Sequence, residues 1–248
     1  TLFYLVIRWR LQQKFRRQLE RSEKEKQFAE LQHKTAELEM QALRAQMSPH
    51  FIFNSLNSIN MFILENNKLE ASEHLSKFSR LVRMILQHSQ EAFIPLEKEL
   101  EALRLYLELE SLRFEQRFEY KISVHNEVDT TMVKVPPLII QPYVENAIWH
   151  GLMHKKEKGH LDIELYLKEN LLICKITDDG IGRKRAAELK SKSSLTYKSM
   201  GMRITADRIA LLQQQEQNNA FISVNDLLVP DGRPAGTEVL IKIPLDYG

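Results

Sequence analysis

Three short stretches in the second half of the sequence place polar residues and glycines at spacings that suit a phosphate-bearing ligand. In QPYVENAIWHG, residues 141–151, Asn146 and His150 lie one helical turn apart, and Glu145 precedes Asn146. A carboxylate can act as a base, and a carboxamide oxygen can ligate Mg²⁺. A helix that begins after Pro142 and carries solvated polar residues explains the same stretch equally well.

The second stretch is KITDDGIG, residues 175–182, in which a predicted strand ends at Asp178 and the chain turns through Gly180 and Gly182. Glycine lets the backbone approach a flat ligand closely, and an aspartate at a strand end can accept a hydrogen bond from an exocyclic amine. A simple strand-to-loop turn is the alternative, because Asp and Gly are common in turns.

The third stretch is SMGMRITADRIALL, residues 199–212, followed by RPAGTEVLIKI, residues 233–243. Gly201 opens a predicted helix whose free N–H groups suit a phosphate, and Gly236 and Thr237 begin the last predicted strand. The basic, serine-rich residues 183–199 are a candidate lid over the phosphates, or a solvated loop.

The change in hydrophobic period along the chain predicts the elements that must hold these residues. A long helix is expected over residues 11–66, with a heptad run from Phe28 to Ala45 that favours a dimeric coiled coil. Further helices are expected at residues 69–88 and, after Pro95 breaks the pattern, at residues 96–114. Two helices from each of two chains would form a dimeric four-helix bundle. From Phe118 the period becomes two, which predicts strands with one buried face.

The predicted fold class is therefore α+β, with helices against a mixed, mainly antiparallel sheet. The predicted domains are residues 1–45 (end of a transmembrane helix and a coiled coil), 46–94 (dimerisation hairpin), 95–117 (connecting helix) and 118–248 (a mixed domain that contains the three stretches).

Composition excludes some classes of protein. Thirty-five basic and 33 acidic residues give a formal net charge of +2, so no strong field indicates direct nucleic acid binding. A single cysteine, Cys174, excludes an internal disulfide and fits a reducing compartment.

The first residues, TLFYLVI, are apolar and precede a cluster of arginines and lysines between Arg8 and Arg21. Seven residues are far fewer than the roughly 20 that cross a bilayer. The pattern predicts the cytoplasmic end of a membrane-spanning helix, with positive charge on the inner side. A surface helix with a frayed apolar start is the alternative.

Taken together and in this order, residues 141–151, 175–182, 199–212 and 233–243 resemble the N, G1, G2 and GT boxes, respectively, of the GHKL ATP-binding superfamily, which contains gyrase, MutL and the histidine kinases. The resemblance covers roughly residues 118–245. It implies ATP with its adenine at Asp178, Mg²⁺ bound through Asn146, and a lid at residues 183–199. The residues it assigns to nucleotide binding are Asn146, His150, Asp178, Gly180, Gly182, Gly201 and Thr237.

The stretch MSPHFIFNSLNSI, residues 47–59, resembles the phosphoacceptor motif of the LytS/YehU-type sensor histidine kinases. LIIQPYVENAIWHG and PLEKELEALRLYLELESLRF are similar to that family too, so the match runs from about Leu43 to the end. The resemblance implies a homodimer at the bacterial inner membrane that phosphorylates His50. It also implies transfer to an aspartate of a response regulator of the LytTR type. In that family, residues 1–45 would be a signalling coiled coil, 46–94 the phosphotransfer hairpin and 118–248 the ATP-binding catalytic domain. Pro49 removes a backbone donor, so we expect a local bend that exposes His50.

Other positions carry further expectations. Glu145 is predicted to be the base for His50, since Phe51 stands where many histidine kinases have an acid. Asn54 either positions a water for regulator dephosphorylation or hydrogen-bonds across the bundle. Trp149 replaces a lysine that the family often carries, and Ser199 replaces the first glycine of the G2 box. The remaining helical histidines, His33, His74 and His88, are predicted to lie on the surface.

Three alternatives share the ATP-binding fold. The first is a non-catalytic nucleotide-binding scaffold, which is consistent with the departures of Trp149 and Ser199 from the family pattern. A serine kinase that acts as an anti-sigma factor would need no phosphoacceptor helix. An ATPase of the gyrase or MutL kind would need no histidine.

Overall fold

Helices fill the first half of the described chain and strands dominate the second half, as the change of hydrophobic period predicts. The computed structural model describes residues 49–114, 116–192 and 221–245. The helices are α1 (Pro49–Leu64), α2 (Lys68–His88), α3 (Leu96–Arg113), α4 (Gln141–Asn146) and α5 (Arg183–Lys192). The strands are β1 (Ile94–Pro95), β2 (Phe118–Val124), β3 (Lys134–Val135), β4 (Gly159–Lys168), β5 (Leu171–Asp178), β6 (Phe221–Leu228) and β7 (Pro234–Pro244).

Helices α1 and α2 form a hairpin whose turn depends on two asparagines. Asn66 adopts a left-handed backbone conformation with φ 59°, which asparagine tolerates better than most residues. The side chain of Asn67 then accepts a hydrogen bond from the backbone N–H of Glu70 and caps α2. The predicted second helix is confirmed and begins at Lys68.

Helix α1 has two apolar faces, of which the chain buries one. The buried face carries Phe51 and Ile59. On the opposite side, Phe53, Leu56 and Ile63 are exposed, at spacings that keep them on one stripe. An exposed stripe of this kind on a helix is typical of a surface that contacts a partner.

The prediction that His74 and His88 lie on the surface was wrong. Only 2% of His74 and 7% of His88 is exposed, and the His74 ring packs 5.7 Å from the ring of Phe62 on α1. The two histidines flank Leu81 at seven-residue spacing, which places all three on the inward face of α2. Burial lowers the pKa of both imidazoles, because it disfavours the charged form.

Helix α3 lies between the hairpin and the sheet and is buried over most of its surface. On its outer side, Arg80 of α2 forms an ion pair with Glu101, and Lys77 lies 3.1 Å from Glu108. On its inner side, the carboxylate of Glu99 is almost fully buried. The helix therefore connects the hairpin to the segment that precedes α4.

The five-stranded sheet has the order β2-β4-β5-β7-β6. The β2–β4 pair is parallel and the other three pairs are antiparallel, which confirms a mixed, mainly antiparallel sheet. The predicted alternation is confirmed as well: Leu161, Ile163 and Leu165 of β4 are buried. The central strand β5 ends at Asp178, directly opposite Thr237 of β7.

The segment before α4 is anchored by a buried carboxylate from α3. Glu99 accepts hydrogen bonds from the backbone N–H groups of Leu138, at 2.8 Å, and Ile140, at 3.2 Å. Leu138 adopts a left-handed conformation with φ 57°, which a leucine keeps only when its surroundings impose it. Glu99 therefore fixes the conformation from which α4 begins.

Replacing Glu99 by Gln is expected to lower the free energy of unfolding by about 2–4 kcal/mol, because a buried charged acceptor with two backbone donors is removed. Urea unfolding followed by circular dichroism measures this. Glu97→Gln is the matched control on the same helix: Glu97 is exposed, so its change should stay within about 0.5 kcal/mol. Equal effects of the two changes would contradict the anchoring role.

The predicted transmembrane end and coiled coil, residues 1–45, lie outside the described residues. Within the described ranges, no helix is long and apolar enough to cross a membrane.

Candidate functional site

A cleft of about 250 Å³ opens between α4, the start of α5 and the facing ends of β5 and β7. Its lining contains five residues that the sequence predicts to bind nucleotide: Asn146, His150, Asp178, Gly182 and Thr237. The other lining residues are mostly apolar: Tyr143, Ala147, Gly151, Arg183, Ala186, Ala187, Val224 and Val239. A mostly apolar cleft with a few convergent polar groups suits a flat heterocycle that carries a polar edge.

Asp178 is the buried carboxylate of this cleft, with 4% of its surface exposed. Its Oδ1 accepts a hydrogen bond of 2.9 Å from the backbone N–H of Gly180. The backbone N–H and hydroxyl of Thr237 also donate to it. Burial nevertheless raises the pKa of Asp178 to about 6, because desolvation of the charged form outweighs these donors. The carboxylate can therefore gain from a further donor such as an exocyclic amine.

Glycines let three backbone segments close around Asp178. A Cβ on Gly151 would lie 2.7 Å from the Asp178 Oδ1 atom, and one on Gly180 would meet the backbone of Gly151. Gly236 has φ 132°, and a Cβ there would overlap the carbonyl oxygen of Asp178. The glycines therefore serve to pack the backbone around Asp178, while their predicted approach to a flat ligand stays a prediction.

Asp179 is turned away from the cleft. Its Oδ1 accepts from the backbone N–H of His160 at 2.8 Å, and its Oδ2 lies 2.7 Å from Nζ of Lys155. These partners hold its pKa below the ordinary value, although partial burial opposes them. Of the two adjacent aspartates, only Asp178 can therefore serve the cleft.

Asn146 ends α4 and faces the cleft. Its Nδ2 donates to the carbonyl of Pro142 at 2.7 Å, which leaves Oδ1 as the atom suited to a cation. The next five residues, Ala147–Gly151, form a π-helical turn that carries His150 at the exposed edge of the cleft. Such turns occur often at functional sites, because they shift side chains out of helical register.

Arg183 contributes to the cleft, and sequence reasoning did not single it out. Its guanidinium pairs in bidentate fashion with Asp226 of β6, at 2.7 and 2.9 Å. This pair joins the start of α5 to the edge strand, and it raises the pKa of Arg183. The position directly after Gly182, at the start of the predicted lid, was the available signal. Residues 183–192 of that lid form helix α5, and its alanines 186 and 187 face the cleft.

Comparisons with known proteins identify a family model and relatives that this chain resembles. Residues 38–118 match the family model described as Histidine kinase. The chain is 30% identical over 226 residues to Sensor protein LytS of Bacillus anthracis, a match that covers 89% of this chain and 36% of that protein. It is 38% identical over 146 residues to Sensor histidine kinase/phosphatase LytS of Staphylococcus aureus strain MRSA252, covering 58% and 24%.

The resemblance to LytS-type sensor histidine kinases is confirmed. The chain spans about a quarter to a third of the length of these two relatives. Among solved structures, it is similar to the histidine kinase domain of the blue-light activated histidine kinase from Erythrobacter litoralis EL346. That similarity has a TM-score of 0.42 and 17% identity, and covers 84% of this chain and 93% of the other.

Two residues of this LytS-type N box point toward α3, outside the cleft lining. Trp149 packs edge-on against Phe114 at 5.2 Å, and the guanidinium of Arg113 lies 4.2 Å from its ring centre. Glu145 lies near Tyr106 and Glu110, where its charge raises the pKa of both groups. Burial is the main cause at Glu110 and brings its pKa to about 7. The role of Glu145 as a base stays a prediction.

The other predicted site residues of the LytS-type motifs are described only in part. The backbone of His50 lies in α1, one turn before Asn54, while the His50 side chain is outside the described part of the structure. The Nδ2 atom of Asn54 is buried, with no hydrogen-bond partner among the described residues. Gly180 does not line the cleft; its backbone N–H donates to the carboxylate of Asp178. Gly201 and Ser199 lie outside the described residues.

Within the described ranges, no three His, Cys, Asp or Glu side chains cluster closely enough to hold a metal ion. Mg²⁺ usually binds through one or two protein oxygens together with water and substrate phosphates, and Asn146 Oδ1 would supply one such oxygen.

Proposed function

We propose that this chain is the phosphoacceptor and ATP-binding part of a sensor histidine kinase of a two-component system. It binds Mg-ATP, transfers the γ-phosphoryl group to His50, and passes it to an aspartate of a response regulator. The observation that carries the proposal is the cleft: Asn146, Asp178 and Thr237, predicted from three separate stretches, line one cavity with apolar walls.

The cleft fits ATP by its own chemistry. Asp178 offers a buried carboxylate to the exocyclic amine of adenine, and Thr237 and Gly180 hold that carboxylate in place. Tyr143, Ala147, Val224 and Val239 provide apolar surface for the base. Mg²⁺ at Asn146 would neutralise phosphate charge. Arg183 and His150 stand at the same cleft and can contact phosphate.

In the proposed reaction, a neutral imidazole nitrogen of His50 attacks the γ-phosphorus of ATP. A nitrogen–phosphorus bond forms, the bond from that phosphorus to the bridging oxygen breaks, and ADP leaves with the electron pair. The other imidazole nitrogen then loses its proton to a base, for which we propose Glu145.

The test is transfer of label from γ-labelled Mg-ATP to the purified chain, beside the variants His50→Gln and Asn146→Ala. We expect label on the parent chain that survives alkali and is lost in acid, and no label on either variant. His50→Gln should still bind ATP, since it leaves the cleft intact. Bound ATP without label on the parent chain would favour a nucleotide-binding scaffold, and label that persists in His50→Gln would contradict the assignment.

The assignment of Glu145 makes its own prediction. Glu145→Gln should slow autophosphorylation by about a hundredfold, because the imidazole loses its proton acceptor, while ATP affinity is retained. Rapid-quench measurement of label on His50 tests this. Glu157→Gln, an exposed change in the loop before β4, serves as control. A normal rate in Glu145→Gln would remove the assignment.

The exposed face of α1 supports a homodimer built on the hairpin. Phe53 is 68% exposed and Leu69, at the start of α2, is 79% exposed, so much apolar surface lacks a partner within one described chain. A second hairpin would cover it and complete a four-helix bundle. Analytical ultracentrifugation should show a dimer that Phe53→Glu dissociates; a monomeric parent chain would contradict this arrangement.

We also propose a location and a partner. The apolar start of the chain and the arginines that follow support attachment to the bacterial cytoplasmic membrane, with this chain on the cytoplasmic side. Fractionation of the full-length protein tests the location, and recovery in the soluble fraction would contradict it.

The regulator is proposed to carry a LytTR-type DNA-binding domain. Phosphotransfer from labelled His50 to a purified regulator of that type tests the partner, and transfer only to regulators of other types would contradict it.

A further inference from the structure

A continuous set of aromatic contacts leads away from the phosphoacceptor position. Phe51 directly follows His50 and is only 2% exposed. Its ring lies 5.0 Å from the ring of Tyr106 on α3 and 6.2 Å from that of Phe78 on α2. The side chain next to the phosphoacceptor therefore packs against both neighbouring helices, and its rotation is limited by theirs.

The other end of Tyr106 lies at the N box. Tyr106 is completely buried and lies one helical turn before Glu110. The Glu110 carboxylate is 3.3 Å from Arg113, whose guanidinium lies 4.2 Å from the ring centre of Trp149 in the N box. Glu110, Glu145 and Arg113 are also near enough for their charges to shift the pKa of the Tyr106 hydroxyl. Burial is the largest cause and raises that pKa well above the ordinary value, so the phenol stays neutral. Glu145 immediately precedes Asn146, which lines the cleft.

One buried ring thus contacts the neighbour of His50 on one side and approaches the neighbour of Asn146 on the other. Packed interiors resist small displacements, because moving one side chain requires its neighbours to repack. We expect a shift of α1 at Phe51 to displace the Tyr106 ring and, with it, the end of α3 that packs against Trp149 of the N box. Ion pairs also join α2 to Glu101 and Glu108 of α3, and they hold α3 in place against the hairpin.

We propose that Tyr106 is a positioning residue that sets the phosphoacceptor helix relative to the nucleotide cleft. This rests on the proposed function. Tyr106 touches neither ATP nor the reacting atoms, and it acts through Phe51 and the N-box turn. Its ring, more than its hydroxyl, carries the effect, because the ring makes the contact with Phe51.

The test compares Tyr106→Leu, Tyr106→Phe and the parent chain for ATP affinity and for the single-turnover rate of His50 labelling. Tyr106→Leu should slow labelling by about tenfold or more, because small misplacements of reacting groups cost large factors in rate. Its dissociation constant for Mg-ATP should change by less than about twofold, since the cleft lining is untouched. Tyr106→Phe should restore the rate.

A double-mutant cycle shows whether the effect passes through Phe51. If it does, Phe51→Leu with Tyr106→Leu should be no slower than the slower single variant. Tyr120→Leu is the matched control: it loses the same kind of ring, which packs against Phe118 on β2, and should label at the parent rate. Thermal unfolding confirms that each variant is folded at the assay temperature.

Three results would overturn the inference while the proposed function stands: a parent-like rate in Tyr106→Leu, a rate loss matched by an equal loss of ATP affinity, or additive effects in the cycle. Absence of label on the parent chain is a different failure, since it removes the proposed function and the inference with it.

Discussion

Replacing Asp178 by Asn is expected to weaken nucleotide binding by about tenfold to a hundredfold, because a charged acceptor for the adenine amine is lost. The same change should raise the free energy of unfolding at pH 7.5. Ionised Asp178 is buried, so its desolvation opposes folding at that pH. The variant should thus be more stable and less able to bind ATP.

The sign of the pH dependence follows from the two pKa values. The pKa of Asp178 is about 6 in the folded chain, against an ordinary value of 3.8. Between these values the folded state binds more protons than the unfolded state, so the contribution of Asp178 to stability rises as pH falls from above 6 toward 4. ATP affinity should move the opposite way: it falls as pH drops through about 6, because a protonated carboxyl accepts poorly from an amine.

Titration calorimetry with an ATP analogue between pH 5.5 and 8, together with urea unfolding at the same pH values, measures both effects. Asp179→Asn is the matched control one residue away, since Asp179 pairs with Lys155 and His160 outside the cleft. That control should keep its ATP affinity. Parent-like affinity in Asp178→Asn, or equal losses in both variants, would contradict the assignment of Asp178.

Gly236→Ala is expected to have the largest effect on stability of any change at this site. At φ 132° an L side chain is strained, and the added Cβ would overlap the backbone carbonyl of Asp178, which no rotamer change can relieve. We expect a loss of more than about 4 kcal/mol, or failure to fold, because β5 and β7 must separate beside the cleft.

Gly232→Ala separates backbone strain from the close contact at Gly236. Gly232 also has a positive φ, 80°, but nothing lies within 4 Å of the position its Cβ would take. Its change should therefore cost only about 1–2 kcal/mol, from strain alone. Urea unfolding measures the free energy of unfolding of both variants. Similar losses of that free energy would contradict the close contact between Gly236 and Asp178 as the cause.

Periodicity predicted the elements that carry strong local patterns. The α2 prediction differs from the structure by one residue at its start, and β4 and β7 follow the alternation of their apolar residues. Strand β6 was not predicted, because Asn225 and Asp226 interrupt its alternation at the sheet edge, where pairing with β7 alone stabilises it.

Motif spacing predicted which residues meet in the cleft but not which way their neighbours face. Asn146 faces the cleft while Glu145 lies toward α3, and the π-helical turn that follows orients Trp149 by packing that sequence does not encode locally. The burial of His74 and His88 did have a signal, because they share the helical face of Leu81. The surface prediction for His74 and His88 relied on the polarity of histidine and disregarded this shared face.

The central claim is that ATP bound in this cleft phosphorylates His50. The most direct measurement is mass spectrometric mapping of the phosphate at neutral pH after the chain is incubated with Mg-ATP, with Asp178→Asn treated in parallel. The account predicts phosphate on the peptide that contains His50 in the parent chain and a strong reduction in the variant. Phosphate on another residue, or equal phosphate on His50 in both chains, would contradict it.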